Sequence, residues 1–163
     1  MSWWGSRFRQ FRAHVGARVL PVERADLATW LSSSQLAVFD GMHVADKRHG
    51  LDVVRTLRAG GSTDPELLLA GLLHDAGKGP TVGLLPRVAW SLGEGYGAWI
   101  LRLARMLPGF PRALDLLRDH AELSARLAEG AGCTARTADL IRHQAEPVDR
   151  EAGRLLYLAD EAN

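Results

Sequence analysis

Cysteine is almost missing from this chain. A single Cys133 in 163 residues excludes an internal disulfide and any cysteine-built zinc site, and it fits a reducing compartment. Charge of one sign is missing too. Lys and Arg number 20 against 19 Asp and Glu, a formal net charge of +1, which gives no case for an acidic partner or for specific nucleic-acid binding. No run of about 18 or more uncharged apolar residues occurs. The nearest stretch, 82–103, carries Arg87, Glu94 and Arg102 and is interrupted by Pro86, Gly93, Gly95 and Gly97, so it reads as two packed helices rather than a membrane span. The N-terminus has neither a continuous apolar segment nor a small-residue cleavage site, and a cytoplasmic location is expected. Alternating β-branched stretches, the mark of strands, are absent.

What remains is a helical pattern. The chain is 47% hydrophobic and 24% charged, ordinary for a soluble globular domain, and long enough for one real core. Trp4, Phe8, Phe11, Val15 and Val19 recur at three- and four-residue steps, with Arg7, Arg9, Arg12 and Arg18 mostly elsewhere on the axis. That predicts an N-terminal amphipathic helix over 1–21, ended by Pro21. Its apolar stripe is expected to pack on the domain or on a second subunit. Peripheral membrane contact through residues 3–20 is the competing reading.

The rest, 22–163, is predicted to be an all-α, single compact bundle of about 7–9 helices in all. Helices are expected near 22–31, 35–42, 45–59, 64–75, 84–93, 98–107, 113–129, 134–143 and 149–162, with His74 and Asp75 at the C-terminal end of the fourth. The segment Pro108–Pro111, "PGFP", is read as a breaker. The helix after Asp64 has a capping residue, Pro65 in its first turn and Glu66 at the positive end of its dipole. Leu67, Leu68, Leu69, Leu72 and Leu73 then cover almost every direction around its axis, which puts it at the centre of the domain.

That leucine run ends in His74-Asp75-Ala76-Gly77-Lys78. Other histidines and an aspartate lie along apolar stripes of separate helices. His49 borders the arc of Val53, Val54 and Leu57, and His120 is followed by Leu123 and Leu127. His143 stands three residues after Leu140, and Asp160 four after Leu156. Four imidazoles and two carboxylates pointing into one interior are costly unless something takes their lone pairs, and a divalent cation does so. Neighbours on a helix diverge by about 100°, but the two oxygens of Asp75 can serve one ion beside His74 and a second ion on the other side. The nitrogen and oxygen donors suit iron, manganese, nickel, cobalt or zinc.

The order His49, His74-Asp75, His120, His143, Asp160, with "HDAGK" in the second position, resembles the HD-domain superfamily of metal-dependent phosphohydrolases, over roughly residues 40–163. His120 and His143, lying between the HD pair and the last Asp, make it similar to the two-metal branch. The GYP signature of the cyclic-dinucleotide branch is not present. The resemblance implies one ion held by His49, His74, Asp75 and Asp160, and a second held by Asp75, His120 and His143. It implies hydrolysis of a small phosphorylated substrate, such as a nucleotide, by a metal-activated hydroxide. Asp75 and Lys78 carry the expected catalytic roles. Lys78 would contact phosphate, or else serve only as a cation at a helix C-terminus. Two alternatives stand beside this: an HD-type di-iron oxygenase, and a non-enzymatic ligand-binding regulator on the same scaffold. Arg48 is expected to be solvated, His14 to lie at the surface, His43 to cap a helix or line the cleft, and Asp46, Asp52 and Asp119 to be exposed or capping. Oligomeric state has no signature in the sequence.

Overall fold

The structure is a computed structural model that describes residues 16–163. Among the described residues there are nine α-helices, one 3-10 turn and no strand. The helices are α1 (Pro21–Trp30), α2 (Ser33–Gly41), α3 (Val44–Ala59), α4 (Pro65–Leu73), α5 (Leu84–Tyr96), α6 (Trp99–Ala104), α7 (Phe110–Gly130), α8 (Ala135–Arg142) and α9 (Ala152–Ala162), with the 3-10 turn at Ala76–Lys78. This is the all-α bundle expected.

Local chemistry sets the helix starts. Ser32 and Gln35 cap α2 reciprocally: Gln35 N donates to Ser32 Oγ at 3.2 Å and Ser32 N to Gln35 Oε1 at 2.9 Å. His43 Nδ1 accepts from Ala45 N at the start of α3, so His43 is a cap. Asp64 Oδ1 accepts from Glu66 N and Leu67 N at the start of α4, and Thr134 Oγ1 accepts from Thr137 N at the start of α8.

Two boundaries differ from expectation. Residues 17–20 are not helical, and Pro21 opens α1 instead of ending an earlier helix. The pyrrolidine ring pushes the residue before it into extended backbone, and Leu20 has φ −77° and ψ 146°. The rest of the expected N-terminal helix lies outside the described residues. Likewise, Pro111 sits in the first turn of α7, where its missing N–H costs nothing; the break falls at Gly109, with φ +81°.

Helix α4 is the central post. Leu67, Leu68, Ala70, Gly71, Leu72 and Leu73 are all buried, and α2, α3, α8 and α9 pack around it. Small residues let α3 cross it closely. A Cβ at Gly50 would run into the Leu72 backbone, and one at Gly71 would stand 2.9 Å from Leu57 and 3.1 Å from Val53. The crossing places His49, next to Gly50, beside His74 just beyond the end of α4; their ring centroids are 5.1 Å apart.

A second, smaller apolar cluster lies to one side. Val82, Ala104, Ala113, Leu114 and Leu117 join the α5–α6 hairpin to the N-terminal half of α7. Helix α5 runs on through Gly93, and α6 packs directly on that glycine: a Cβ there would meet Leu101 at 2.5 Å.

Candidate metal centre

The end of α4 makes the site. The helix stops at Leu73, and His74 follows at φ −56°, ψ −26° and Asp75 at φ −101°, ψ 3°, before the 3-10 turn begins. The two side chains expected inside a helix therefore occupy the turn that leaves it. That turn lies against the middle of α7. Gly77 N donates to Ser124 Oγ at 2.8 Å, and a Cβ at 77 would be 2.6 Å from Ser124 N and 2.7 Å from Leu123 Cβ. Only glycine permits such an approach, and it brings Asp75 to His120.

Donor atoms converge from four helical segments. His49 Nε2 is 2.7 Å from Asp160 Oδ1, and His74 Nε2 is 3.4 Å from the same oxygen. His74 Nε2 and His120 Nε2 stand 3.6 Å and 3.7 Å from Asp75 Oδ1. The other oxygen, Asp75 Oδ2, accepts from Lys78 Nζ at 2.6 Å. His49, His74 and Asp160 offer ligand atoms within 4.8 Å of one another and could hold a metal ion.

Two of the rings are fixed in the orientation a ligand needs. His74 Nδ1 lies 3.0 Å from the Gly71 carbonyl oxygen, and His120 Nδ1 lies 2.7 Å from that of Leu117. A carbonyl only accepts, so each Nδ1 carries the proton and donates. In the neutral rings Nε2 then presents a lone pair to the cleft, the arrangement in which a backbone partner sets the tautomer of a metal-binding histidine. The residues present fit a divalent ion on this ground.

Electrostatics point the same way. Burial raises the cost of charge on Asp75, but Lys78 and the neighbouring histidines outweigh it and hold the carboxyl well below the usual range. Burial also opposes ionisation of Asp160, yet hydrogen bonds from His49 and His74 keep it far below its ordinary value. At His74 burial disfavours the cation, and Asp75 and Asp160 overcome it, pushing the ring up to about 9. The two carboxylates thus favour positive charge beside them. At His120 burial prevails over the attraction of Asp75 and lowers its value.

His49, Asp75, His120 and Asp160 line the floor of an open cleft of about 520 Å³, and His74 is buried beside Asp75 and Asp160. His74 and Asp75 side chains are only 2% and 4% exposed, while those of His49, His120 and Asp160 are 25%, 26% and 34% exposed, so the floor is sealed below and accessible above. Leu84, Val88 and Trp90 of α5 give one wall an apolar face.

His143 does not join the cluster. It is exposed at the C-terminal end of α8 and borders a separate depression with Arg136, Asp139 and Val148. It follows Asp139 by four residues and Arg136 by seven, which is the outer stripe of that helix. The inner stripe is Thr137, Leu140, Ile141 and then Gln144. Gln144 is buried, lines the cleft and donates from Nε2 to the His74 carbonyl oxygen at 3.2 Å. The ion expected at Asp75, His120 and His143 therefore has two of its three protein donors in place.

Two further placements differ from expectation. Asp46 is buried rather than exposed, clasped by Arg87 through two contacts of 2.6 Å. Arg48 is not solvated: Glu23 holds it at 2.7 Å and Asp52 at 3.0 Å, on the cleft wall. Asp52 is thereby half-buried, whereas Asp119 is exposed and paired with Arg118. Arg87 had one sequence signal, a cation alone in the apolar opening turn of α5. His14 lies outside the described residues. Compared with protein-family models, with curated proteins and with solved structures, the chain matches none of them.

Proposed function

We propose that this chain is a metal-dependent phosphohydrolase acting on a small phosphate ester, with a nucleotide as one candidate class. One observation carries the reading: three imidazole Nε2 atoms and two carboxylates converge on the floor of an open cleft, with two of the rings locked by backbone carbonyls. His49, His74 and Asp160 would hold the ion, with Asp75 beside them. Any of the nitrogen- and oxygen-loving ions, iron, manganese, nickel, cobalt or zinc, suits that set. Such an ion supplies Lewis acidity, neutralising phosphate charge and lowering the pKa of water.

The chain's own groups do the rest. Asp75 is oriented by Lys78, which grips its Oδ2 and leaves Oδ1 toward His74 and His120. Lys78 also gives that part of the cleft a cation for a phosphate oxygen. His120 is kept neutral by burial and held by Leu117, so its Nε2 can take a proton from an attacking water. Leu84, Val88 and Trp90 offer an apolar surface for the part of the ester that is not phosphate. A second ion would find only Asp75 and His120, which favours hydrolysis over the di-iron oxygenase reading, since the latter needs two fully held irons. A pure ligand-binding regulator remains as an outcome of the test.

That test is metal analysis of the purified chain, followed by phosphate release from nucleotides and simple aryl phosphates with manganese, iron, cobalt, nickel and zinc supplied in turn. Release that His74→Ala abolishes is expected. Tight nucleotide binding with no release under any metal would replace the proposal with the regulator; oxygen uptake by the ferrous protein without phosphate release would replace it with the oxygenase.

A further inference from the structure

We infer that the outer face of α6, with the turn that follows it, docks on an anionic lipid surface. The inference is independent of the metal centre. Trp99, Leu103, Met106 and Leu107 are 59%, 57%, 80% and 51% exposed. At helical spacing they form one stripe, and the residues that α6 and the end of α5 turn inward are Leu101, Ala104 and Gly93. The face is therefore held outward by packing on its other side. Trp99 is braced as well, its Nε1 donating to the Tyr96 carbonyl oxygen at 3.2 Å. Four large apolar side chains side by side on a short, anchored element exceed the scattered exposure normal for a soluble surface.

Charge selects the partner. From Gly95 to Leu114 the chain has no acidic residue and three arginines, Arg102, Arg105 and Arg112. Arg105 pairs with Asp115 at 2.6 Å, whereas Arg102 and Arg112 are exposed and have no carboxylate partner among the described residues. A second copy seated on this face through a two-fold axis would present the same acid-free stretch and so offer these arginines no carboxylate from it. Residues 1–20 would fare no better as a cover, since they hold Arg7, Arg9, Arg12 and Arg18 and no acid. An anionic bilayer meets both requirements: its acyl region takes the tryptophan and leucines, and its headgroups take the arginines. No helix among the described residues is long and apolar enough to cross a membrane, so the contact is peripheral.

The experiment is co-sedimentation of the full chain with phosphatidylcholine vesicles, with and without phosphatidylglycerol, at low and at raised salt. Binding is expected only with phosphatidylglycerol and is expected to weaken as salt rises. The triple variant Trp99→Ser, Leu103→Ser, Met106→Ser should lower the partition coefficient by about tenfold or more while leaving helicity and melting temperature unchanged. The charge variant Arg102→Glu, Arg112→Glu touches no packed side chain and should abolish the preference for anionic lipid, so the test stands even if the triple variant folds poorly. Failure of the parent chain to bind anionic vesicles would overturn the inference. So would binding that neither variant alters, binding lost only on deleting residues 1–15, or a dimer in solution that the triple variant dissolves.

Discussion

Gly77→Ala adds one methyl group to the turn that carries Asp75, and the structure leaves no room for it. Its Cβ would press on three parts of α7: the His120 carbonyl oxygen, the Ser124 amide nitrogen at 2.6 Å and Leu123 Cβ at 2.7 Å. Two of these are backbone atoms in the middle of a 21-residue helix, which cannot swing aside as a flexible side chain can. The turn and α7 must separate, and the Gly77 N to Ser124 Oγ hydrogen bond of 2.8 Å is stretched with them. Overpacking costs about 1–3 kcal/mol, and loss of a buried amide's partner about 1–3 kcal/mol more, so a loss of roughly 2–6 kcal/mol is expected. For a chain of this length each kcal/mol moves the melting temperature by about 2–4 °C, which scanning calorimetry resolves easily. Ser124→Ala removes the hydrogen bond without the clash and should cost less. The double variant should cost less than the two singles together, because both act on one contact. A Gly77→Ala protein as stable as its parent, within about 0.5 kcal/mol, would show that the turn does not lie this close to α7, and the placement of Asp75 against His120 would go with it.

Other tests concern charge. Without metal, His74 holds a proton up to about 9 against an ordinary value of 6.5, so its contribution to stability is fully present below 6.5 and is lost as pH rises through about 9, a change on the order of 3 kcal/mol. Asp160 runs the opposite way: its lowered value gives stability present above 3.8 that fades as pH falls, so urea denaturation of metal-free protein should be hardest between these limits. An ion must displace the His74 proton, so metal affinity should rise by about tenfold per pH unit toward pH 9, and titration calorimetry in two buffers should detect one proton released per ion; release of none would contradict the cluster's electrostatics. Arg87→Ala leaves Asp46 charged and buried and should cost about 3–5 kcal/mol, whereas Arg87→Met with Asp46→Ala together should cost less than Arg87→Ala alone. His143→Ala should leave metal content and stability unchanged, the latter to within about 0.5 kcal/mol; loss of an ion in that variant would return His143 to the ligand set.

The parts of this molecule that could be read from sequence are those decided by neighbours close in the chain. Asp64 and Thr134 announce helix starts because a capping side chain bonds an amide two or three residues on, whereas the helix capped by Ser32 begins two residues before the start expected at 35. A helix apolar on all sides announces its own burial, and α4 is the post around which the others stand. His49, His120 and Asp160 were legible because each lies on a stripe long enough to define which way is in. On α8 that inference fails. With only eight residues, the inward direction drawn from Leu140 alone misses by enough to exchange His143 for Gln144, one residue further on. Leu140 lies at the edge of the buried arc, and Thr137 and Ile141, which define its centre, point to 144.

The Asp46–Arg87 clasp had no such local logic. Its partners are 41 residues apart, and an aspartate in the first turn of α3 looks the same whether it faces water or an arginine. Burial makes the difference, and burial here is decided by the α5–α6 hairpin, which packs in its own apolar cluster and meets the main core's side of the cleft through this pair. The clasp is thus a tie between the two sides of the cleft, beside the packing of the hairpin on α7. The apolar wall of Leu84, Val88 and Trp90 lies on the same helix as Arg87, which is bound to Asp46 of α3. The metal floor belongs to the main bundle and the apolar wall to the hairpin. On the hydrolase reading proposed above, a variant that releases the clasp is expected to alter which ester fits while leaving the donors of the floor where they are, a split between substrate preference and metal content that assays on Arg87→Ala would detect.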